Sequence, residues 1–281
     1  MYLGIDFGST TTKIVLMDNY KIVSKYRIGR EDSYEEVLNS IDISKVDKIM
    51  TVGTGASYIY GDICGIPTVN VDEFRAVGLG GYFLSGLDEC MVVSLGTGTS
   101  YVYVNRDKRE HAGGCGIGGA LLCALSKYAG YEDVEEFMEL ADKGDINNAD
   151  LLVKDISKIP IDGMLGDISV ANMAKVKPDS RPEDYAFGAC NLVFQNVGVM
   201  AVMADRVYGT KKIVVMGSIG RSNVAKKCFD AVGNLFGYEF IVPEDSLYGV
   251  AVGAILYGDE DYINRFGIYG YSEEEADSFF E

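Results

Sequence analysis

This chain of 281 residues predicts a two-lobed α/β fold built on a repeated phosphate-binding β-hairpin. Three observations lead there. LGIDFGSTTTKIVLM at 3–17 returns in altered form as VVSLGTGTSYVYV at 92–104. In both copies an apolar strand enters a Gly/Ser/Thr turn and a second, alternating strand leaves it. Such turns offer backbone N–H groups and hydroxyls, and two of them facing each other would clamp a polyphosphate. Strand and helix patterns alternate after each copy, as in a wound α/β lobe.

The first lobe is expected over 1–88. After its hairpin, Lys21 to Arg27 alternates as a third strand, and EDSYEEVLNSI reads as a helix with acidic residues in its first turn. KIMTVGTG is strand and turn, TVNVDEF a strand ending in carboxylates, and AVGLGGYFLSG a helix rich in small residues. The second lobe is expected over 89–258. There the hairpin is followed by a polar loop, NRDKREHAGGCGIGG, and by the helix ALLCALSKYAG, which opens on glycines. From Asp133 to Lys158 two helical segments flank KGDINNAD, with Asn147 or Asn148 as cap of the second. PIDGMLGDISVANMAKVKPDSRP is turn-rich and reads as a surface excursion with a short helix. EDYAFGACNLVFQNVGVMAVMADRVYG is a long helix, apolar on most faces, and so buried or packed on another subunit. KKIVVMGSIG, RSNVAKKCFDAVGNLFG, YEFIVPED and SLYGVAVGAILYG complete the lobe as strand and glycine turn, helix, strand and helix. The tail, 259–281, carries eight carboxylates against one arginine and reads as a solvated extension, or, by its tyrosines and phenylalanines, as a short docking segment.

A formal charge of -17 argues against nucleic acid or an anionic membrane as partner, since both reward basic patches. No apolar run reaches the roughly 20 residues that cross a bilayer, and the chain opens directly on a strand, which together lead to a cytoplasmic expectation. Six cysteines, at 64, 90, 115, 123, 190 and 228, lack any C-x-x-C pairing and read as reduced core residues.

The first turn sets Asp6 at a strand end, with Gly8, Ser9, Thr10 and Lys13 following. A carboxylate beside a phosphate-binding turn is where Mg²⁺, or a water on it, would be held. Lys13 leaves the turn where it would reach a transferred or leaving phosphoryl group. The second turn, Gly96-Thr97-Gly98-Thr99-Ser100, has Ser94 where the first has Asp6, leaving one metal pole and one hydrogen-bonding pole. A base for an alcohol acceptor is offered by Glu73 at the carboxyl end of a strand, with Asp72 as its rival. The run from Gly113 to Gly119 precedes a helix, which would leave N–H groups open to an anion. Arg109 and His111, the only histidine, flank it.

In order and spacing, GIDFGSTTTKIV, VDEF with GLGG beyond it, VSLGTGTSYVYV, GGCGIGGALLCALS, LADKGDINNADLLVKDI, GDISVANM, GSIGRSN and GVAVGAILYG resemble the type II pantothenate kinases over roughly residues 1 to 258. That family lies within the actin, sugar kinase and Hsp70 superfamily. The resemblance implies an actin-like (ribonuclease H-like) ATPase fold and ATP-dependent phosphorylation of pantothenate to 4′-phosphopantothenate, the committed step toward coenzyme A, by a homodimer joined through long helices. It gives Asp6 to the magnesium, Lys13 to the phosphates and Glu73 to the acceptor hydroxyl as general base. It sets Gly8, Ser9 and Thr10 at the ATP and Gly96, Thr97, Gly98, Thr99 and Ser100 around the phosphates and pantothenate. Gly116, Gly118 and Gly119 fall nearer the nucleotide, and Gly217, Ser218 and Arg221 border the adenosine.

One position departs from that family. Where it has an arginine before the glycine run, this chain has His111-Ala112-Gly113-Gly114. A guanidinium fork offers fixed donors that a neutral imidazole does not. Either Arg109 reaches the acceptor, or His111 serves in the arginine's place, or the acceptor is another small alcohol. The opening LGIDFGSTTTK also resembles that of a different class, the ATPase activators of 2-hydroxyacyl-CoA dehydratases, for which Cys115 and Cys123 would be the thiolates to examine. A nucleotide-binding sensor without turnover is the remaining alternative.

Overall fold

The computed structural model describes residues 1–29, 32–159 and 166–259, so the acidic tail lies outside the described residues from position 260 on. In chain order the elements are β1 (Tyr2–Phe7), β2 (Thr11–Asp18), β3 (Lys21–Gly29), α1 (Tyr34–Ser40), β4 (Lys48–Val52), β5 (Thr68–Asn70) and α2 (Glu73–Ser85). Next come β6 (Glu89–Leu95), β7 (Thr99–Asn105), β8 (Arg109–Cys115), α3 (Gly119–Tyr128), α4 (Val134–Ala141), α5 (Ile146–Ala149), β9 (Leu151–Leu152), α6 (Val153–Ile156) and β10 (Ser169–Ala171). The chain continues with α7 (Pro182–Asp205), β11 (Lys212–Met216), α8 (Asn223–Phe236), β12 (Glu239–Ile241) and α9 (Gly249–Gly258).

Two five-stranded sheets run β3-β2-β1-β4-β5 and β8-β7-β6-β11-β12, one strand order used twice. In the first, β1–β2 and β2–β3 are antiparallel and β1–β4 and β4–β5 parallel. In the second, β11 and β12 are likewise parallel. The duplicated hairpin is therefore the start of a duplicated sheet.

The chain divides into two compact units, one of Met1–Val92, Val102–Ala112 and Leu247 onward, the other of Val93–Tyr101 and Gly113–Ser246. The expected boundary near Leu87 to Glu89 is displaced, and α9, read as part of the second lobe, belongs to the first unit.

In the first unit, strand alternation sorts the side chains onto two faces. Leu3, Ile5, Phe7, Ile14 and Leu16 pack with Leu38 of α1, while Val15 and Met17 pack with Leu79 of α2 and Ala251, Val252 and Ile255 of α9. Helices α2 and α9 meet backbone to backbone: a Cβ on Gly80 would overlap the Gly249 carbonyl, and one on Gly253 the Ala76 carbonyl. Asp72 caps α2 by accepting from the Arg75 N–H at 2.9 Å, and Gly86, in the left-handed region at φ 65°, ends it.

In the second unit α7 is the central helix, with Ala186, Ala189, Cys190, Val193, Phe194, Val197 and Ala201 fully buried and α4 and α8 packed on it. Phe194 meets Phe229 of α8 edge to face at 5.7 Å. Contrary to the sequence expectation, α7 is long and apolar enough to cross a bilayer, yet 61% of its most apolar stretch is buried inside the protein, as befits a core helix. The loop expected at 105–119 contains a strand, β8, which adds to the edge of its sheet beside β7. The cap of α5 is Asp145, whose carboxylate accepts from the Asn147 N–H at 2.9 Å, rather than either asparagine. No helix forms in the described part of the 160–182 excursion, which instead supplies β10. The fully buried Asp150 anchors that segment, accepting from Ser169 Oγ at 2.6 Å, the Met173 N–H at 2.7 Å and Asn191 Nδ2 at 2.8 Å. Cys90, Cys190 and Cys228 are core thiols as expected, whereas Cys64 is exposed.

Candidate active site

In the first unit the alternation that buries Leu3 and Ile5 on one face turns Asp6 to the other, the face that α2 and α9 cover. Lys13 stands opposite Asp6 in the β1–β2 register and shares its face with Val15 and Met17. Its Nζ lies 3.3 Å from Asp6 Oδ2, with side-chain exposures of 16% for Lys13 and 11% for Asp6. Burial pushes the Asp6 carboxyl above its ordinary range, and the Lys13 ammonium opposes the rise. Gly8 keeps the turn open above this pair: a Cβ there would come within 3.0 Å of Lys13 Nζ and 2.8 Å of the Thr11 carbonyl. Gly53, at φ +91°, closes the other side, where a Cβ would stand 2.8 Å from Asp6 Oδ1. Sequence reasoning assigns Gly53 no role, although the strand-then-glycine pattern of TVGTG is the signal that marks it.

Glu73 heads α2 on the same face. It is open to solvent, yet enough protein surrounds it that partial desolvation raises its pKa, followed by the charges of Asp6 and Asp72, with Lys13 opposing. Asp6, Lys13 and Glu73 thus form one electrostatic group. Asp72 is engaged as the α2 cap, which separates its task from that of Glu73.

Arg109 and His111 leave β8 on one face, two residues apart, and meet α2 at positions four apart. The Arg109 stem lies along Gly78, its Cγ and Cδ 3.5 Å from where a Cβ would stand, and the side chain is buried. His111 stacks on Phe74, with ring centroids 3.9 Å apart and planes 21° from parallel. Of the two residues expected to meet the acceptor, the structure sets His111 beside the helix N-terminus that Glu73 heads. Arg109 lies about 6 Å further along the helix axis, under Gly78. Phe74 closes the VDEF motif, which marks the helix start but gives the ring no role of its own.

In the second unit three glycine segments converge. The Gly96 N–H donates to the Gly98 carbonyl at 3.0 Å, closing the hairpin turn. The Gly119 N–H donates to the Gly96 carbonyl at 2.8 Å and the Ala120 N–H to the Thr97 carbonyl at 3.0 Å. These first N–H groups of α3 are therefore spent on the turn, not left open to an anion as the glycine run suggested. Thr99 Oγ1 adds a bond to the Ile117 carbonyl at 2.7 Å. A Cβ on Gly118 would fall 2.7 Å from the Thr97 and Gly98 carbonyls, and one on Gly119 2.9 Å from that of Gly96, so both are glycine for close backbone approach. Gly116 faces open space, and Thr97 is exposed beside the half-buried Ser100. Gly217, at φ +112°, lies against the Leu95 carbonyl and donates its N–H to Ser246 O at 3.1 Å, and Ile219 touches the Gly119 position at 3.8 Å. Ser218 and Arg221 follow on the surface of that turn. Cys115 and Cys123 are half-buried, and no cluster of three or more metal-binding side chains occurs among the described residues.

The family described as Fumble matches residues 29–232. The type II pantothenate kinase of Staphylococcus aureus strain MRSA252 is 27% identical over 269 residues, spanning 92% of this chain and 100% of that protein. Its counterpart from strain USA300 is 27% identical over 266 residues, spanning 91% and 98%. Among solved structures, the activator of the 2-hydroxyisocaproyl-CoA dehydratase from Clostridium difficile with bound ADPNP superposes with a TM-score of 0.67 at 17% identity, covering 96% of this chain and 99% of that one. A ROK family glucokinase from Streptomyces griseus in complex with glucose and AMPPNP gives 0.56 at 14% identity, covering 90% and 97%. The shared feature is the fold, a two-sheet α/β arrangement of the actin-like ATPase type.

Proposed function

The chain belongs to the Fumble family, and on that basis we propose that it is a type II pantothenate kinase, transferring the γ-phosphoryl group of ATP to the 4′-hydroxyl of pantothenate. The observation that carries this reading is the group of Asp6, Lys13 and Glu73 on one face of one sheet, beside a turn that Gly8 keeps clear.

In the forward reaction a bond forms between the 4′ oxygen and the γ phosphorus, the bond from the γ phosphorus to the β–γ bridging oxygen breaks, and ADP leaves. Glu73 accepts the hydroxyl proton as the oxygen attacks. Partial desolvation and the charges of Asp6 and Asp72 raise its pKa above the ordinary glutamate value, which strengthens it as a base toward the hydroxyl proton. Lys13 lowers the cost of negative charge on the phosphoryl oxygens, and the turn of Gly8, Ser9 and Thr10 cradles them. In the second unit Gly96, Gly98 and Gly116 line the nucleotide and Thr97 and Ser100 the acceptor, with Gly118, Gly119 and the buried Thr99, whose hydroxyl holds the Ile117 carbonyl, anchoring the loop. Gly217, Ser218 and Arg221 border the adenosine.

Magnesium fits Asp6, because this ion takes one or two protein carboxylates and fills its shell with water and phosphate oxygens. When bound it would neutralise charge on the phosphates. A homodimer through α7 accompanies this reading: Leu192 and Val199 are half-buried and Met203 is 58% exposed on a helix whose other side is buried, a face suited to a second copy. As in this family, we place the enzyme in the cytoplasm.

His111, standing where the resemblance calls for arginine, supports a second reading, a kinase of the same fold acting on another small alcohol. A screen of ATP consumption with pantothenate, pantetheine and related alcohols separates the two. Turnover that depends on pantothenate supports the first, turnover with another alcohol alone supports the second, and ATP binding without turnover supports a sensor.

A further inference from the structure

Helix α2 and strand β8 are matched position by position. On the helix, Phe74 and Gly78 stand four residues apart on one face, and on the strand Arg109 and His111 stand two apart on one face, spacings of about 6 Å and 7 Å respectively. Arg109 fills the gap that Gly78 leaves, and His111 falls on Phe74. Neither ring of the second pair is core: Phe74 is 41% exposed and His111 is exposed as well. An exposed imidazole ordinarily samples several rotamers. One ring stacked face to face at 3.9 Å holds the imidazole plane, which leaves its two nitrogens on the ring edge, clear of the Phe74 face, at the helix N-terminus that Glu73 heads.

We propose that Phe74 is a positioning residue that fixes the His111 imidazole as a hydrogen-bond donor to the phosphoryl acceptor, with acceptor selection residing in this aromatic pair and not in Arg109. The proposal rests on the kinase reading above for its acceptor contact, and on the stack itself for the positioning. The register explains the division of labour: the arginine is locked a helical turn away from Glu73, and position 111 is the one that the strand delivers to the helix N-terminus.

Because His111 is the only histidine, its C2 proton gives a single assignable NMR resonance that needs no turnover to read. The test compares wild type with Phe74→Leu, which keeps apolar volume and loses the ring, and Phe74→Tyr, which keeps the ring, each checked for an unchanged thermal melt. In Phe74→Leu, loss of the ring current should move the His111 resonance toward its free-peptide position. The KM for the acceptor should rise roughly three- to tenfold, the loss expected for one misaligned hydrogen bond, while kcat and the KM for ATP hold. Phe74→Tyr should restore both. In wild type, adding pantothenate should shift the same resonance. Should pantothenate not be phosphorylated, the kinase reading fails while the resonance still reports on the stack. A His111 resonance that is the same in wild type and Phe74→Leu overturns the positioning role. An unchanged acceptor KM, or no response of the resonance to the accepted alcohol, overturns the acceptor contact.

Discussion

Lys13 and Asp6 face each other across the first hairpin, Nζ to Oδ2 at 3.3 Å, in a setting where burial raises the aspartate more than the lysine lowers it. Removing the cation in Lys13→Met leaves a nearly buried carboxylate uncompensated. The expected loss is about 3 kcal/mol, measured by urea unfolding. A carboxyl whose folded pKa is raised loses stability as pH climbs past its unfolded value, since the native state must then ionise it. The deficit should therefore be smallest in the ordinary carboxylate range and grow toward neutral pH, and the double variant with Asp6→Asn should recover part of it. A deficit that shrinks as pH rises would show that the pair is not coupled in this sense.

Glu73 should leave its mark on the pH profile. A base must be deprotonated to work, so kcat/KM should rise with pH along an acid limb lying above the ordinary glutamate value of 4.5. In Glu73→Gln this limb should vanish and turnover fall by about 10²- to 10⁴-fold, with ATP affinity retained. Turnover within about threefold of wild type would remove Glu73 from the role of base.

Much of this arrangement is written locally. Leu3, Ile5 and Phe7 alternating with Gly4 and Asp6 give both the strand and the face on which the acid lies, and the two Gly/Ser/Thr turns announce the repeat. Strand β8 is hidden because Arg106, Asp107, Lys108, Arg109 and Glu110 followed by glycines have a loop's composition. What makes it a strand is its place beside β7, the counterpart of β3 beside β2, and only the repeat could have revealed that. The anchoring of α3 on the Gly96 and Thr97 carbonyls and the pairing of Phe74 with His111 join residues far apart in sequence. No periodicity reports such contacts.

Glycine substitutions can separate ligand contact from folding in the second unit. Gly116→Ala adds a methyl into open space and should leave the melting temperature unchanged while raising the KM for ATP. Gly118→Ala pushes a methyl to 2.7 Å from two carbonyls and should cost about 1–3 kcal/mol, read by chemical denaturation. If Gly116→Ala lowers stability as much as Gly118→Ala, Gly116 is packed and does not line the nucleotide.

For quaternary structure, light scattering at micromolar concentration should give twice the 30.5 kDa mass of one chain. Met203→Glu, at an exposed position of α7, should shift the population toward the single-chain mass without unfolding it. A wild-type protein that scatters as one chain would contradict a dimer formed through this helix.

Phosphoryl transfer to pantothenate with Glu73 as base can be followed by label from ATP carrying ³²P at the γ position, with pantothenate and magnesium, in wild type and in Glu73→Gln. The expected result is label in 4′-phosphopantothenate formed one for one with ADP by wild type, and label remaining in bound ATP with the variant. Label released only as inorganic phosphate, or equal transfer by both proteins, would contradict this mechanism.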